Sequence, residues 1–309
     1  IDMLNKNYSE FTNTAEKVAS QRKFLSVSED PAAAMRAFQI RKSLFRNQVY
    51  KTNLEEVQGR LDEAENTISI INDICKDAKV QIMQGINGTS DEAVRRTVAN
   101  LLRTYQTSIM NAANATFSGD YIFGGNTNDV VPFSRDANGR LLYKGQPVDT
   151  GTFADEPRFI DIGVGLTLVG GVVSGDTAMN SSFSGAELLG TGVDANGLSN
   201  NLFNLLGDIA DKLEAGDMGD IDRYVEKFNE LADRIRMNYV SIGEKSNFIS
   251  YFLDRLSNQK LAESKRQTEL EVLTIDEGAI LYSERELAYD ACLQIGAKIL
   301  QPSLLDYLK

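Results

Sequence analysis

The chain has 309 residues and a formal net charge of −12, with 42% hydrophobic and 25% charged residues. That hydrophobic share suffices to bury a core, and the charge argues against a phosphate backbone or an anionic lipid surface as partner. Histidine is absent, which removes the commonest general base, a common zinc ligand, and both the Ser-His-Asp and Cys-His nucleophile arrangements.

The first predicted helix is written in Leu4, Tyr8, Phe11, Ala15 and Val18, with Leu25 completing the stripe and Arg22 at the skipped position. Ser26-Val27-Ser28-Glu29-Asp30-Pro31 then interrupts it. Asp30 suits an N-cap and Pro31 the first helical position, where its missing N–H costs nothing. The helix restarts through Ala32, Ala33, Ala34 and Met35.

The stretch that organises the chain follows. Tyr50, Leu54, Val57, Leu61, Ala64, Ile68, Ile71, Cys75, Ala78 and Ile82 recur at alternating steps of four and three without a break. This 3.5-residue repeat is the seam of a helix packed lengthwise on others. At about 1.5 Å per residue, a helix from Pro31 onward is roughly 80 Å long, the length of a rod. It should stop near Gly85-Ile86-Asn87-Gly88, and Thr89-Ser90-Asp91-Glu92 reads as a new N-terminus. Val94, Val98, Leu101, Tyr105, Ser108, Ala112 and Ala115 predict a third helix, antiparallel to the second because the connection is short.

From Gly119 to about Asn200 glycine is frequent and helical periodicity is lost. Phe133-Ser134-Arg135 and Arg140-Leu141-Leu142-Tyr143 flank Asp136-Ala137-Asn138-Gly139, a hairpin turn. Arg158–Ile162 and Leu166–Val169 predict further strands. Asp-Ala-Asn-Gly recurs at Asp194–Gly197, but neither copy has the spacing or downstream glutamate of an EF-hand. The longest apolar run, Ile160 to Val173, contains Asp161 and several glycines and is no membrane span. No secretory signal is recognisable.

Helix returns at Leu202, Leu205, Ile209 and Leu213, ending near Gly216. A second long seam runs through Val225, Phe228, Ala232, Ile235, Tyr239, Ile242, Ser246, Ile249, Leu253 and Leu256. It fades at Lys260, Glu263 and Gln267, which reads as a weaker or hinged stretch, and resumes at Leu270. A final segment carries Leu281, Ala288, Cys292, Ile295 and Ile299, broken by Pro302.

The expected architecture is mainly α with a β-rich insert. Residues 1–118 and 201–309 form the two halves of an antiparallel, coiled-coil-like rod, and residues 119–200 form the inserted domain. Leu54, Leu61, Ile68, Ile71, Leu101, Ile235, Ile242 and Ile249 are the expected core. The terminal helices are amphipathic but peripheral, so Leu4, Tyr8, Phe11, Leu281, Ala288, Cys292, Ile295 and Ile299 are expected to meet neighbouring subunits. Cys75 and Cys292 read as free buried thiols. No catalytic residue, metal or cofactor is expected. The paired acids Asp155-Glu156 read as loop solvation, and Asn-X-Ser/Thr at Asn87, Asn114 and Asn180 as chance.

Five motifs in order carry a resemblance: Ser28-Glu29-Asp30-Pro31 before an alanine-rich helix, Asn87-Gly88-Thr89, Tyr121-Ile122-Phe123-Gly124-Gly125-Asn126-Thr127 with Pro132-Phe133, Asn201-Leu202-Phe203 with Leu205-Leu206 and Gly216-Asp217, and Ser303-Leu304-Leu305-Asp306-Tyr307-Leu308. They resemble the flagellin superfamily, and within it the hook-filament junction family of hook-associated proteins. The resemblance covers essentially the whole chain. It implies a flagellin-like fold and a structural role in the extracellular bacterial flagellum. It further implies self-assembly into a ring or tube against a neighbouring hook-associated protein and flagellin, and type III export with a chaperone and no cleaved signal. The family opens with Met about a helical turn or more before the position of Ile1, so it also implies a trimmed N-terminus. Two other readings compete: a flagellin filament subunit, and a secreted coiled-coil adhesin or effector binding through residues 119–200.

Overall fold

The computed structural model describes residues 2–88, 90–127, 129–154, 157–165, 167–169, 172–173 and 178–305. The fold is mainly α, with long helices from both sequence ends and short strands between them. In chain order the elements are α1 (Asp2–Ser20), α2 (Pro31–Gly85), α3 (Glu92–Ala113), nine strands β1–β9 between Thr116 and Asn180, α4 (Gly185–Leu189), α5 (Leu202–Ala215), α6 (Ile221–Glu271) and α7 (Ile275–Leu305). They form two compact units: Ile1–Gln48 with Leu256–Lys309, and Val49–Arg255.

Helix boundaries follow local chemistry. Asp30 Oδ1 accepts the Ala33 amide at 2.8 Å, so α2 opens on Pro31 as its sequence predicts. Asp91 caps α3 through the Val94 amide at 2.8 Å. Gly216 closes α5 in the left-handed region at φ 71°. Thr89 and the residues after Leu305 fall outside the described set. α7 continues past Pro302 and ends three residues later at Leu305.

In the unit Val49–Arg255, every seam position of α2 from Leu54 to Ile82 is buried. Ile235, Ile242 and Ile249 are buried on α6. Gln58 Nε2 donates to Ser246 Oγ at 2.7 Å, and Tyr239 pairs with Glu65, so these parts of α2 and α6 run antiparallel. α3 packs chiefly on α5. Its buried face is Val98, Ala99, Leu102, Gln106, Ile109 and Ala113. Leu101 is only half-buried, so the stripe of α3 lies one residue beyond the predicted one. The reason is α5, whose Leu202, Phe203, Leu205, Leu206, Ile209, Ala210 and Leu213 are all buried. α3 turns toward that apolar mass, and Gln106 Nε2 donates to Phe203 O at 2.7 Å within it.

Residues 119–200 hold less sheet than their composition suggests. β3 (Phe133–Arg135), β4 (Leu141–Tyr143) and β5 (Gln146–Pro147) form a three-stranded sheet. Three antiparallel pairs complete the set: β1 (Thr116–Phe117) with β2 (Asp120–Tyr121), β6 (Phe159–Asp161) with β9 (Ala178–Asn180), and β7 (Leu168–Val169) with β8 (Val172–Val173). The hairpin at Asp136–Gly139 forms as read. Asp136 Oδ1 accepts the Asn138 and Arg140 amides, each at 2.8 Å, and Gly139 takes φ 80°. Asp194 does the same to Asn196 and Leu198 at 2.8 and 2.9 Å. Both Asp-Ala-Asn-Gly copies are thus Asx-turns.

In the unit Ile1–Gln48 with Leu256–Lys309, α6 continues unbroken through the predicted polar gap. Ser43 Oγ donates to Glu263 Oε1 at 2.7 Å, Asn47 Nδ2 to Leu256 O at 3.0 Å, and Lys260 Nζ to Gln48 Oε1 at 3.0 Å. Polar contacts to α2 replace the apolar seam there, so the gap is a hydrogen-bonded interface within one helix.

The buried seam gives a direct stability test. Leu61→Ala removes a fully buried side chain and is expected to cost about 2–5 kcal/mol, whereas Lys79→Ala on the exposed face should stay within about 0.5 kcal/mol. Urea unfolding measures both; equal midpoints would refute the seam.

Candidate assembly surface

α1 is amphipathic, with Asp2 in its first turn and Lys17 in its last, complementing the helix dipole. It packs on α7 through an aromatic cluster. The Phe11 ring lies 5.2 Å from Tyr282 and stacks on Tyr289 at 5.7 Å, and Tyr8 lies 5.7 Å from Tyr289. Asn7 Nδ2 donates to Cys292 Sγ at 2.7 Å, and Arg285 pairs with Glu10. Even so, no residue of α1 is buried within the chain.

The stripe residues divide between two faces. Leu4, Phe11, Ala288 and Cys292 are half-buried, while Tyr8, Leu281 and Ile295 are exposed. The side chain of Ile299 lies outside the described residues. The expectation of two buried thiols needs correction. Cys75 is buried, and burial pushes its thiol up to about 12, leaving it protonated and inert. Cys292 is only half-buried, on the face of α7 where Asn7 of α1 reaches it. The reading by stripes passed over Ile275, Ile280 and Leu287, which stand exposed on α7.

The connection after α1 is locked by Glu29. Its carboxylate takes Lys17 Nζ at 2.8 Å, the Leu25 amide at 3.2 Å and Asn13 Nδ2 at 3.3 Å. The hydrogen bond from Lys17, with those from Leu25 and Asn13, holds its carboxyl below the usual carboxylate range. Backbone bonds Lys23 N to Glu271 O (2.9 Å) and Leu273 N to Gln21 O (3.0 Å) tie this loop to the turn between α6 and α7. The Ser-Glu-Asp-Pro motif therefore has two chemical jobs: Glu29 clamps the loop, and Asp30 starts the next helix.

Other motif residues anchor the segment that follows α3. Phe123 is buried, and its carbonyl accepts both Tyr143 Oη and the Gly185 amide at 3.0 Å. Asn114 holds Phe133 through both its amide and its carbonyl at 3.0 Å, which gives this residue a structural purpose. Two polar knots were not foreseen. Asp149 receives Arg140 Nη2, Asn204 Nδ2 and Ser199 Oγ at 2.7, 2.8 and 2.5 Å. Arg234 donates to the Leu189 and Asn200 carbonyls at 3.1 and 2.9 Å. Isolated polar residues so far apart in sequence give no periodic signal. Asp155 and Glu156 lie outside the described residues. Among the described residues no group of three His, Cys, Asp or Glu is placed to hold a metal, and no helix is long and apolar enough to cross a membrane.

A family model described as the bacterial flagellin N-terminal helical region matches residues 2–128, from α1 through the Tyr-Ile-Phe-Gly-Gly exit of α3. Flagellar hook-associated protein 3 of Salmonella typhimurium is 24% identical over 161 residues, 52% of this chain and 50% of that protein. Residues 2–128 are thus similar to the N-terminal helical region of bacterial flagellin. Solved structures of flagellar hook-associated proteins share its fold. Flagellar hook associated protein-3 from Legionella pneumophila gives a TM-score of 0.59 at 11% identity, covering 75% of this chain and 98% of that one. Bacillus cereus FlgL gives 0.56 at 19% identity, covering 74% and 99%. The chain spans about half the length of the curated relatives it matches.

The Glu29 clamp makes a pH prediction. Its folded pKa is depressed, so its stabilisation is present above the unfolded value of about 4.3 and is lost as pH falls through the folded one. The protection factor of the Leu25 amide, its exchange rate relative to the intrinsic rate at the same pH, should fall on acidification below about pH 4. Glu29→Gln should show that lower protection at neutral pH; an unchanged protection factor would remove the clamp from the account.

Proposed function

We propose that this chain is a structural subunit of the bacterial flagellum that links hook to filament. One observation carries the reading: an amphipathic helix at one chain end buries no residue of its own, and the outer face of its partner α7 carries exposed Ile280, Leu287 and Ile295. Such faces gain about 25 cal/mol per Å² of apolar surface when neighbouring subunits cover them. The relatives' printed name, hook-associated protein 3, favours the junction over the filament itself.

On this reading Leu4, Tyr8, Phe11, Leu281, Ala288, Cys292, Ile295 and Ile299 serve assembly. Residues 1–118 and 201–309 act as the helical halves, and residues 119–200 as an insert between them. The partners are further copies of the chain, an adjoining hook-associated protein and flagellin, with an export chaperone before assembly. The site of action is extracellular, reached without a cleaved signal, and the role is mechanical, not enzymatic.

Cells lacking the chain should carry hooks without filaments and shed flagellin into the medium, as seen by electron microscopy. Filaments still attached would refute the junction role. The double variant Tyr8→Ser with Ile295→Ser should keep the Val49–Arg255 unit folded by circular dichroism yet lose filament attachment. In the free chain, amides of α1 and α7 should exchange faster than those around Leu61, and gain protection on assembly. Equal protection in the monomer would argue against an assembly role for the ends.

A further inference from the structure

Two helices of the unit Ile1–Gln48 with Leu256–Lys309 present matching outer stripes. On α2, Phe38 and Phe45 are 65% and 71% exposed, with exposed Lys42 between them at steps of four and three. On α7, Ile280 and Leu287 are 61% and 73% exposed, with exposed Glu284 between them at the same two steps. Laid parallel, a single offset brings Phe38 opposite Ile280, Lys42 opposite Glu284 and Phe45 opposite Leu287. That is the d-a-d spacing of a parallel coiled-coil seam with an opposite-charge pair at its central position.

The surroundings agree in sign. Residues 31–48 carry Arg36, Arg41, Lys42 and Arg46 and no acid, in a chain of net charge −12. Residues 275–295 carry Asp276, Glu277, Glu284, Glu286 and Asp290 against Arg285 alone. Neither Lys42 nor Glu284 has an ion-pair partner among the described residues of its own chain. Both triplets face solvent within the chain, which leaves each available to another molecule.

We infer that the Phe38-Lys42-Phe45 face of one copy docks in parallel on the Ile280-Glu284-Leu287 face of a neighbouring copy. The inference rests on the reading of the chain as an assembling flagellar subunit. The contact joins two unlike surfaces, so each copy keeps one of each free, and repetition builds a ring or a helical tube instead of a closed pair. The aromatic and aliphatic positions supply burial. The Lys42–Glu284 pair fixes register and direction, because a one-turn slip or an antiparallel approach leaves each charge against an apolar side chain.

Charge reversal in bacteria whose only copy is the variant tests this. Lys42→Glu and Glu284→Lys should each shed filaments, and the double reversal should restore attachment. Purified singles should keep wild-type helicity, since both sites are exposed. Independently, assemblies mixing a Phe45→Cys chain with a Leu287→Cys chain should form an intermolecular disulfide on oxidation, whereas Phe45→Cys mixed with Ser283→Cys should not. Singles that hold full filaments, a double no better than the singles, or no preference for the Leu287→Cys partner would overturn the interface. If cells lacking the chain still hold filaments, the flagellar reading fails, and this contact with it. Shed filaments there, beside full attachment in the singles, would defeat the contact alone.

Discussion

The apolar seam of α2 from Leu54 to Ile82 is the constraint on which the Val49–Arg255 unit depends. Its side chains are withdrawn from water along about eight turns, which requires neighbours over the whole length. α6 supplies one side through Ile235, Ile242 and Ile249. The far end is closed by α3 and α5: a side chain at Gly85 would meet Val98 and Leu213 at 3.2 and 3.1 Å. Near the start, Gly59 admits the Phe117 ring where a Cβ would lie 2.5 Å from it. Once these helices are placed, the entry and exit of the segment between α3 and α5 are placed as well.

That segment is held by polar chemistry more than by sheet. Its strands are two or three residues long, too short to be stable alone. Arg140 and Asn204 converge on Asp149, while Asn204 Oδ1 also accepts the Leu141 amide at 2.9 Å, binding β4 to α5. Burial pushes the Asp208 carboxyl up despite its pairing with Arg140, which marks how dry this junction is. Gly190 shows the tightness of the Arg234 clasp: at φ 88°, a Cβ there would fall 2.1 Å from the Asn200 carbonyl.

The unit of the chain ends is built differently. Its helices meet through hydrogen bonds at Ser43, Asn47 and Gln48, an aromatic cluster at Phe11, Tyr282 and Tyr289, and the Glu29 clamp. Many of its large apolar side chains remain in water, including Met3, Met35, Phe38, Phe45, Ile280 and Leu287. The Val49–Arg255 unit buries the long seam of α2 yet also leaves Val80, Met237 and Tyr251 exposed, so both units present apolar side chains to water.

The sequence by itself determined the helices. Unbroken 3.5-residue periodicity, Asp30-Pro31, Asp91 and Gly216 fix where α2, α3 and α5 begin or end, because capping and helical spacing are properties of a few adjacent residues. It also determined both Asp-Ala-Asn-Gly turns, for the same reason. Only the tertiary structure decided which face of α3 is inside. α3 buries Leu102 and not Leu101 because α5 lies there, and two candidate stripes one residue apart look alike until the neighbour is known. The polar stretch around Glu263 reads as a weak point in one dimension, and becomes an interface when Ser43 arrives from 220 residues away. Arg140, Asp149 and Asn204 carry no pattern along the chain, since their partnership exists only after the backbone has brought them together. The outward faces of α1 and α7 were the hardest to read. An amphipathic stripe shows that a helix needs a partner, but how much of that need the chain itself meets is settled only when its own neighbours are in place.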